Sequence, residues 1–287
     1  MITEPHARPL EGLALGLSIS ESDETTDLGF SSREVNRSSL RISRSILGQG
    51  GRMVFGHDWR EDGVMNAILQ LAVNYHGGGI EDGDKNAAMT NLLAWPMRST
   101  LSLEERQLYD GILEIVEMPP PQDAARLQSG SANVDPALVA LALTEMRREL
   151  NRRCQARLCI GGRTKGFMGA VSGVFEEAVL AIEDEKPLYL SALFGGASAQ
   201  VIRALNGEDV AASGVFTAPD AVAAALKDAG LAADWERYRH IPAQAGVEGL
   251  SHRNHLTVEE NHQLFSARTL AEVIGLVLTG MARLRQA

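Results

Sequence analysis

Apolar blocks along the chain switch between two periods, and the order of the switches predicts the architecture. Residues 13–20, LALGLSIS, run apolar and then small and polar, as a buried strand does when it opens into a loop. The acidic stretch ESDETTDLGF that follows reads as a solvated loop. From Ser32 to Leu47 the apolar Val35, Leu40, Ile42, Ile46 and Leu47 form a ragged helical stripe that stops at GQGG. RMVFG predicts a second strand, and apolar positions 64, 65, 68, 69, 71, 72 and 73 predict the helix after it. Strand, helix, strand, helix is the pattern of a parallel sheet with crossover helices.

The pattern loosens over 77–134. GGGIEDGDKN is a turn-rich loop, NLLAW before Pro96 and ILEIVEM before a triple proline are candidate strands, and PQDAARLQSGSANV is an excursion. Periodicity returns at Asp135, which caps a long helix with Pro136 in its first turn and cations toward its end. ARLCIGG then predicts a strand, 173–184 a helix, and KPLYLSAL a strand with a glycine turn at 195–196. Further helices follow near 218–228, 257–264 and 268–285, with Thr257 and Glu260 at capping-box spacing. No internal repeat or low-complexity linker divides the chain. The expectation is a single α/β domain over 1–287, with 77–134 its less regular insertion.

Composition adds limits. With 45% apolar residues in 287, the chain has ample material for a core. A formal charge of -10 and a pI near 5.2 argue against nucleic acid as a partner and leave room for a small anion in a locally basic pocket. Cys154 and Cys159 alone supply neither a disulfide framework nor a four-ligand zinc site, which suits a reducing cytoplasm. The start, MITEPHARPLEG, lacks the apolar core of a signal peptide, and no apolar run approaches the roughly eighteen residues of a membrane span. A cytoplasmic protein without a membrane partner is therefore expected.

In open parallel sheets, ligands sit outside the carboxyl ends of the strands, where strand order reverses. That rule selects SISES, GHDWRED, GGRTK and LFGGA. Gly161 and Gly162 permit close backbone approach, and Arg163 can fork onto a phosphate or carboxylate. Ser172 and Gly173 open a helix whose free N–H groups attract anions. Glu176 and Glu177 in its first turn repel a bare anion and suit a ribose, whose vicinal hydroxyls a carboxylate accepts. Ser18, Ser20 and Glu21 end the first strand, and His57, Asp58 and Arg60 follow the second. The alternatives stand beside these readings: a tight glycine turn with Arg163 exposed or paired to Glu176, an ordinary capping turn, and a scaffolding histidine. Arg33, Arg37, Arg41 and Arg44 line one helix face, which reads as a solvated or oligomer-facing surface. His252, His255 and His262, near Glu259 and Glu260, match no zinc-protease signature, and no metal is assigned.

The segments GLSISES, GGRMVFGHDWREDGVMNAI, LTEMRREL, ARLCIGGRTKGFMGAVSGVFEEAVLAIEDEKPLYLSALFGGA and HLTVEENHQLF occur in the order seen in prokaryotic members of the SLOG superfamily, which the chain resembles. These are Rossmann-like domains related to the Lonely Guy phosphoribohydrolases, the Smf/DprA domains and the TRPM-channel N-terminal domains. The resemblance covers most of the chain and is weakest over 77–134. It implies an α/β fold, a Rossmann-like three-layer parallel sheet with helices on both faces, and a nucleotide pocket. Many such proteins act as ligand sensors in anti-phage or stress signalling. Residue by residue, it implies binding roles for Ser18, Ser20, Gly56, Asp58 and Arg60, for Gly161, Gly162 and Arg163, for Ser172, Gly173, Glu176 and Glu177, and for Gly195 and Gly196. Arg147 in LTEMRREL is a further candidate, its alternative being a helix surface charge.

One departure matters. Lonely Guy hydrolases carry a Pro-Gly-Gly-x-Gly-Thr-x-x-Glu run, where this chain reads VSGVFEE. The expectation is therefore a binding module that senses an NAD-derived or cyclic nucleotide, needs no further cofactor, and acts as a homo-oligomer or through a separate effector. The alternative is a nucleotide N-glycosidase in which Glu176 or Glu177 is catalytic.

Overall fold

A computed structural model of the chain describes residues 8–56, 65–76, 87–97, 101–122, 134–230 and 235–286. Six strands, β1 (Ala14–Ser20), β2 (Arg52–Phe55), β3 (Met89–Leu93), β4 (Leu113–Glu117), β5 (Ala156–Gly161) and β6 (Leu188–Ser191), form one sheet in the order β4-β3-β2-β1-β5-β6. Every pairing is parallel. The described helices are α1 (Ser32–Gly48), α2 (Met65–His76), α3 (Leu103–Leu108), α4 (Pro136–Arg153), α5 (Gly173–Glu183), α6 (Gly196–Leu205), α7 (Asp220–Asp228), α8 (Trp235–Asn254), α9 (Val258–Phe265) and α10 (Leu270–Gln286). This is a Rossmann-like three-layer α/β fold, as the resemblance implies, and its parallel sheet with crossover helices is the pattern the periodicity predicts.

The two cores explain why the strands read as unbroken apolar runs. Leu15, Met53 and Leu158 pack on Ile42 and Ile46 of α1, Ile68 of α2 and Val273 of α10. On the opposite face, Ala14, Val54 and Leu92 meet Leu143, Met146 and Leu150 of α4, while Cys159 and Leu190 meet Phe175 and Val179 of α5. A strand buried on both faces has no polar side to alternate with. α4 presses closely on β1: a Cβ at Gly16 would lie 2.9 Å from Cys154 Sγ.

From β1 the chain steps outward through β2, β3 and β4, and α4 then carries it back past β1 to β5. Strand order therefore reverses between β1 and β5, which run in register to Ser20 and Gly161. Within 77–134, the described residues supply β3, α3 and β4, two of them strands of the sheet.

Three helices lie outside the sequence reading: α6, which starts at the glycine turn itself, α8 and α3. α8 contains Pro242 and a non-helical Gly246 at φ 61 and ψ 178, so it carries no uniform helical stripe. α3 buries no side chain and is held by a Ser102 and Glu105 capping box. The acidic loop is also more than a solvated excursion. Its carboxylates are exposed, yet Thr25 is buried, Ser22 Oγ donates to the Phe194 carbonyl, and Phe30 meets Phe194 edge to face at 4.9 Å. No described helix is long and apolar enough to cross a membrane.

Cys154 and Cys159 are free and buried. Burial pushes the Cys159 thiol up to about 12 and raises Cys154 in the same direction. Neither is expected to react with iodoacetamide at about pH 8, where the thiolate would be the nucleophile, and both should react once the chain is denatured. Mass spectrometry of native and denatured samples checks this, and a native adduct would contradict it. Because the folded pKa of Cys159 lies above the ordinary value of 9.0, its contribution to stability is intact below that pH and is lost as pH rises toward about 12.

Candidate functional site

A cavity of about 480 Å³ opens at the carboxyl ends of the central strands, between the start of α1, the middle of α4 and the loop from Arg163 into α5. Its lining includes the apolar Phe55, Leu92, Met146 and Phe167. It also includes the polar Ser18, Ser20, Asn36, Arg147, Arg163 and Glu177.

Arg147 is delivered by α4 and is only 8% exposed, so the surface-charge alternative does not hold. It fits because residue 173 has no side chain: a Cβ there would lie 2.7 Å from Arg147 Nη2. Its Nη1 donates to Glu176, and its Nε stands 3.6 Å from Glu177 Oε1. Burial pulls the Arg147 pKa down, but the Glu176 and Glu177 carboxylates outweigh it and hold the guanidinium above the ordinary arginine value.

Behind this pair sits a second buried arginine. Arg157 on β5 has no exposed surface. Its Nε donates to Asn151 Oδ1 at 2.7 Å and its Nη1 to Ser18 Oγ at 2.7 Å, and Nη1 lies 3.3 Å from Glu177 Oε2. Two guanidinium groups thus face two carboxylates, a balance that a low-dielectric interior requires.

Glu176 and Glu177, adjacent in sequence, have different fates. Glu176 is 1% exposed and does not line the cavity. Its Oε1 accepts from Thr144 Oγ1 at 2.6 Å and from Tyr238 Oη at 3.1 Å, and its Oε2 accepts from Arg147. Burial and the Glu176 charge push the Tyr238 phenol above its usual value, so that donor stays protonated. A carboxylate enclosed in this way has no oxygen to offer a ribose or a reacting centre. Glu177, with its side chain 12% exposed, faces the cavity.

Gly161, Gly162, Gly195 and Gly196 frame the site without lining it. Gly161 holds φ 71, and a Cβ there would fall 2.2 Å from the Ser20 carbonyl oxygen, itself the acceptor of the Gly162 N–H. Only glycine allows β1 and β5 to stay this close at their ends. The donors beyond them are taken by the acidic loop. Thr164 donates its N–H and hydroxyl to Asp23 Oδ2 at 3.1 and 2.5 Å, and the Gly196 N–H donates to Glu24 Oε2 at 3.2 Å. Ser172 is buried and donates to the Arg163 carbonyl at 2.5 Å, so α5 begins without a side-chain cap.

The cavity thus gathers Ser18, Ser20, Gly56, Arg147, Arg163, Gly173 and Glu177. It leaves Gly161, Gly162, Ser172, Glu176, Gly195 and Gly196 behind its walls. Asp58 and Arg60 lie outside the described residues. Sequence reasoning missed Arg157, whose signal was a lone cation inside the apolar strand ARLCI, and Asn36 on α1. Among the described residues, no group of three or more His, Cys, Asp or Glu side chains could hold a metal ion.

An all-parallel sheet with a cavity at its switch point defines a Rossmann-like protein. The model of one family, SLOG cluster2, matches residues 9–264, and the chain belongs to that family and so to the SLOG superfamily, a membership that suggests a nucleotide-related function. No curated protein matches the chain.

Proposed function

We propose that the cavity binds a nucleotide or an NAD-derived nucleotide and that the chain is a sensor, working through a separate effector in prokaryotic defence or stress signalling. One observation carries this reading: Arg147 is more than nine-tenths buried yet lines the cavity beside the uncapped start of α5. Glu176 and Glu177 balance the Arg147 charge, so the attraction for an anion such as phosphate comes from the free N–H groups at the start of α5 and from Arg163, an exposed cation at the rim. Ser18 and Glu177, both tied to Arg157, suit ribose hydroxyls, and Phe55, Met146 and Phe167 offer apolar lining for a base. The volume of about 480 Å³ suits a ligand of this size.

Thermal denaturation with AMP, NAD and ADP-ribose tests the proposal. A ligand at about 100 times its Kd should stabilise the fold by about 2.7 kcal/mol. R163A should remove most of that shift. No shift with any of these probes sinks the reading, and an unchanged shift in R163A sinks this cavity as the site.

A glycosidase reading has one observation in its favour, the carboxylate of Glu177 on the cavity wall. Against it, two arginines hold that carboxylate and Glu176 is sealed. Release of free base from AMP or NAD, abolished in E177Q, would establish it.

A further inference from the structure

α1 bears the four arginines on one face. At about 100° per residue, Arg33, Arg37, Arg41 and Arg44 fall within an arc of roughly 80°, along about 16 Å of helix. All four are exposed, and among the described residues none forms a salt bridge, Glu34 acting on Arg37 only as a nearby charge. Arg44 reaches only the neutral Tyr75 hydroxyl, at 3.3 Å. Other surface arginines do find carboxylates: Arg203 pairs with Glu208 at 2.8 Å and Arg283 with Glu260 at 2.6 Å. With 37 acidic and 27 basic residues, carboxylates are in excess, so an unpaired row of arginines is not explained by their scarcity.

Arg33 adds a local conflict. It sits in the first turn of α1, two residues after the Ser31 cap, where a cation opposes the helix dipole. A locally unfavourable residue is expected where a further contact offsets it.

The complement of the stripe lies directly before it. Glu21, Asp23, Glu24 and Asp27 are exposed and have no cation partner among the described residues. The loop that carries them is fixed to the body through Ser22, Asp23, Glu24 and Thr25. Leu28, 49% exposed, adds an apolar point beside them.

We propose that this face joins two copies of the chain about a two-fold axis, with the acidic loop of each copy against the α1 arginines of the other. A two-fold contact requires a self-complementary surface, and four anions on the loop and four cations on the helix it leads into supply matching charges for one. A nucleic acid would meet the carboxylates of the loop and a net charge of -10. An acidic peptide would cover the arginines and leave the loop unpaired. Glu21 and Asn36 also line the cavity, so the second copy stands at its mouth.

Exposed ion pairs are individually weak and screened by salt, so the dimer should be salt-sensitive. Sedimentation velocity on the full chain tests this. The wild type is expected to sediment as a dimer at about 0.05 M NaCl and as a monomer at about 1 M. R37E/R41E and E21R/D27R, altered only at exposed positions, should each be monomeric at low salt, and their equimolar mixture should restore a dimer. A monomeric wild type at low salt, a dimer in either variant alone, or a mixture that stays monomeric overturns the proposal. No ligand is added, so the outcome is independent of what fills the cavity.

Discussion

Arg147→Met costs the fold about 3–5 kcal/mol, because it leaves Glu176 in the interior without its cation. Thr144 and Tyr238 still donate to that carboxylate, but both are neutral and cannot balance its charge. At a few degrees per kcal/mol, Tm should fall by roughly 10 °C. R147M/E176M removes both charges and should be more stable than R147M alone, since the costly species is the unpaired carboxylate. Urea unfolding of wild type, both single variants and the double variant gives the coupling directly. A loss below about 1 kcal/mol in R147M would mean that water reaches the pair and that its burial is overstated.

Gly161→Ala is expected to be the second severe change. Alanine at φ 71 is strained wherever it occurs, by about 1–2 kcal/mol. Here its Cβ would also lie 2.2 Å from the Ser20 carbonyl oxygen, a backbone atom that already accepts the Gly162 N–H. Relief requires β1 and β5 to part at their carboxyl ends, beside the cavity. Gly207→Ala is the control: φ there is 81 and nothing lies within 4 Å of the new methyl group. G161A should therefore lose about 1–3 kcal/mol more than G207A in the same denaturation assay. Equal losses would show that the strand ends yield easily.

The sheet was legible because its strands are buried on both faces, so runs such as ARLCI stand out from helical stripes. The switch-point rule then led to Ser18 and Arg163, which lie at strand ends in the chain itself, and the helix start read at 173 added Gly173. Arg147 was legible only through its likeness to a family, since a helix stripe alone cannot say that its guanidinium is enclosed. Long-range partners escaped altogether. The sealing of Glu176 depends on Thr144, 32 residues before it, and on Tyr238, 62 residues after it. Spacing along a chain carries no trace of such a meeting. Nor could it separate Glu176 from Glu177, whose side chains part at the cavity wall.

The acidic loop gives the site a property that its lining does not. Asp23 and Glu24 each use one oxygen to satisfy backbone N–H groups at the ends of β5 and β6. A free anion seeking those groups competes with tethered carboxylates, whose effective concentration is on the order of millimolar or higher. In the proposed site, the anion's seat is then the start of α5, and the neighbouring N–H groups are filled by counter-ions the chain supplies itself.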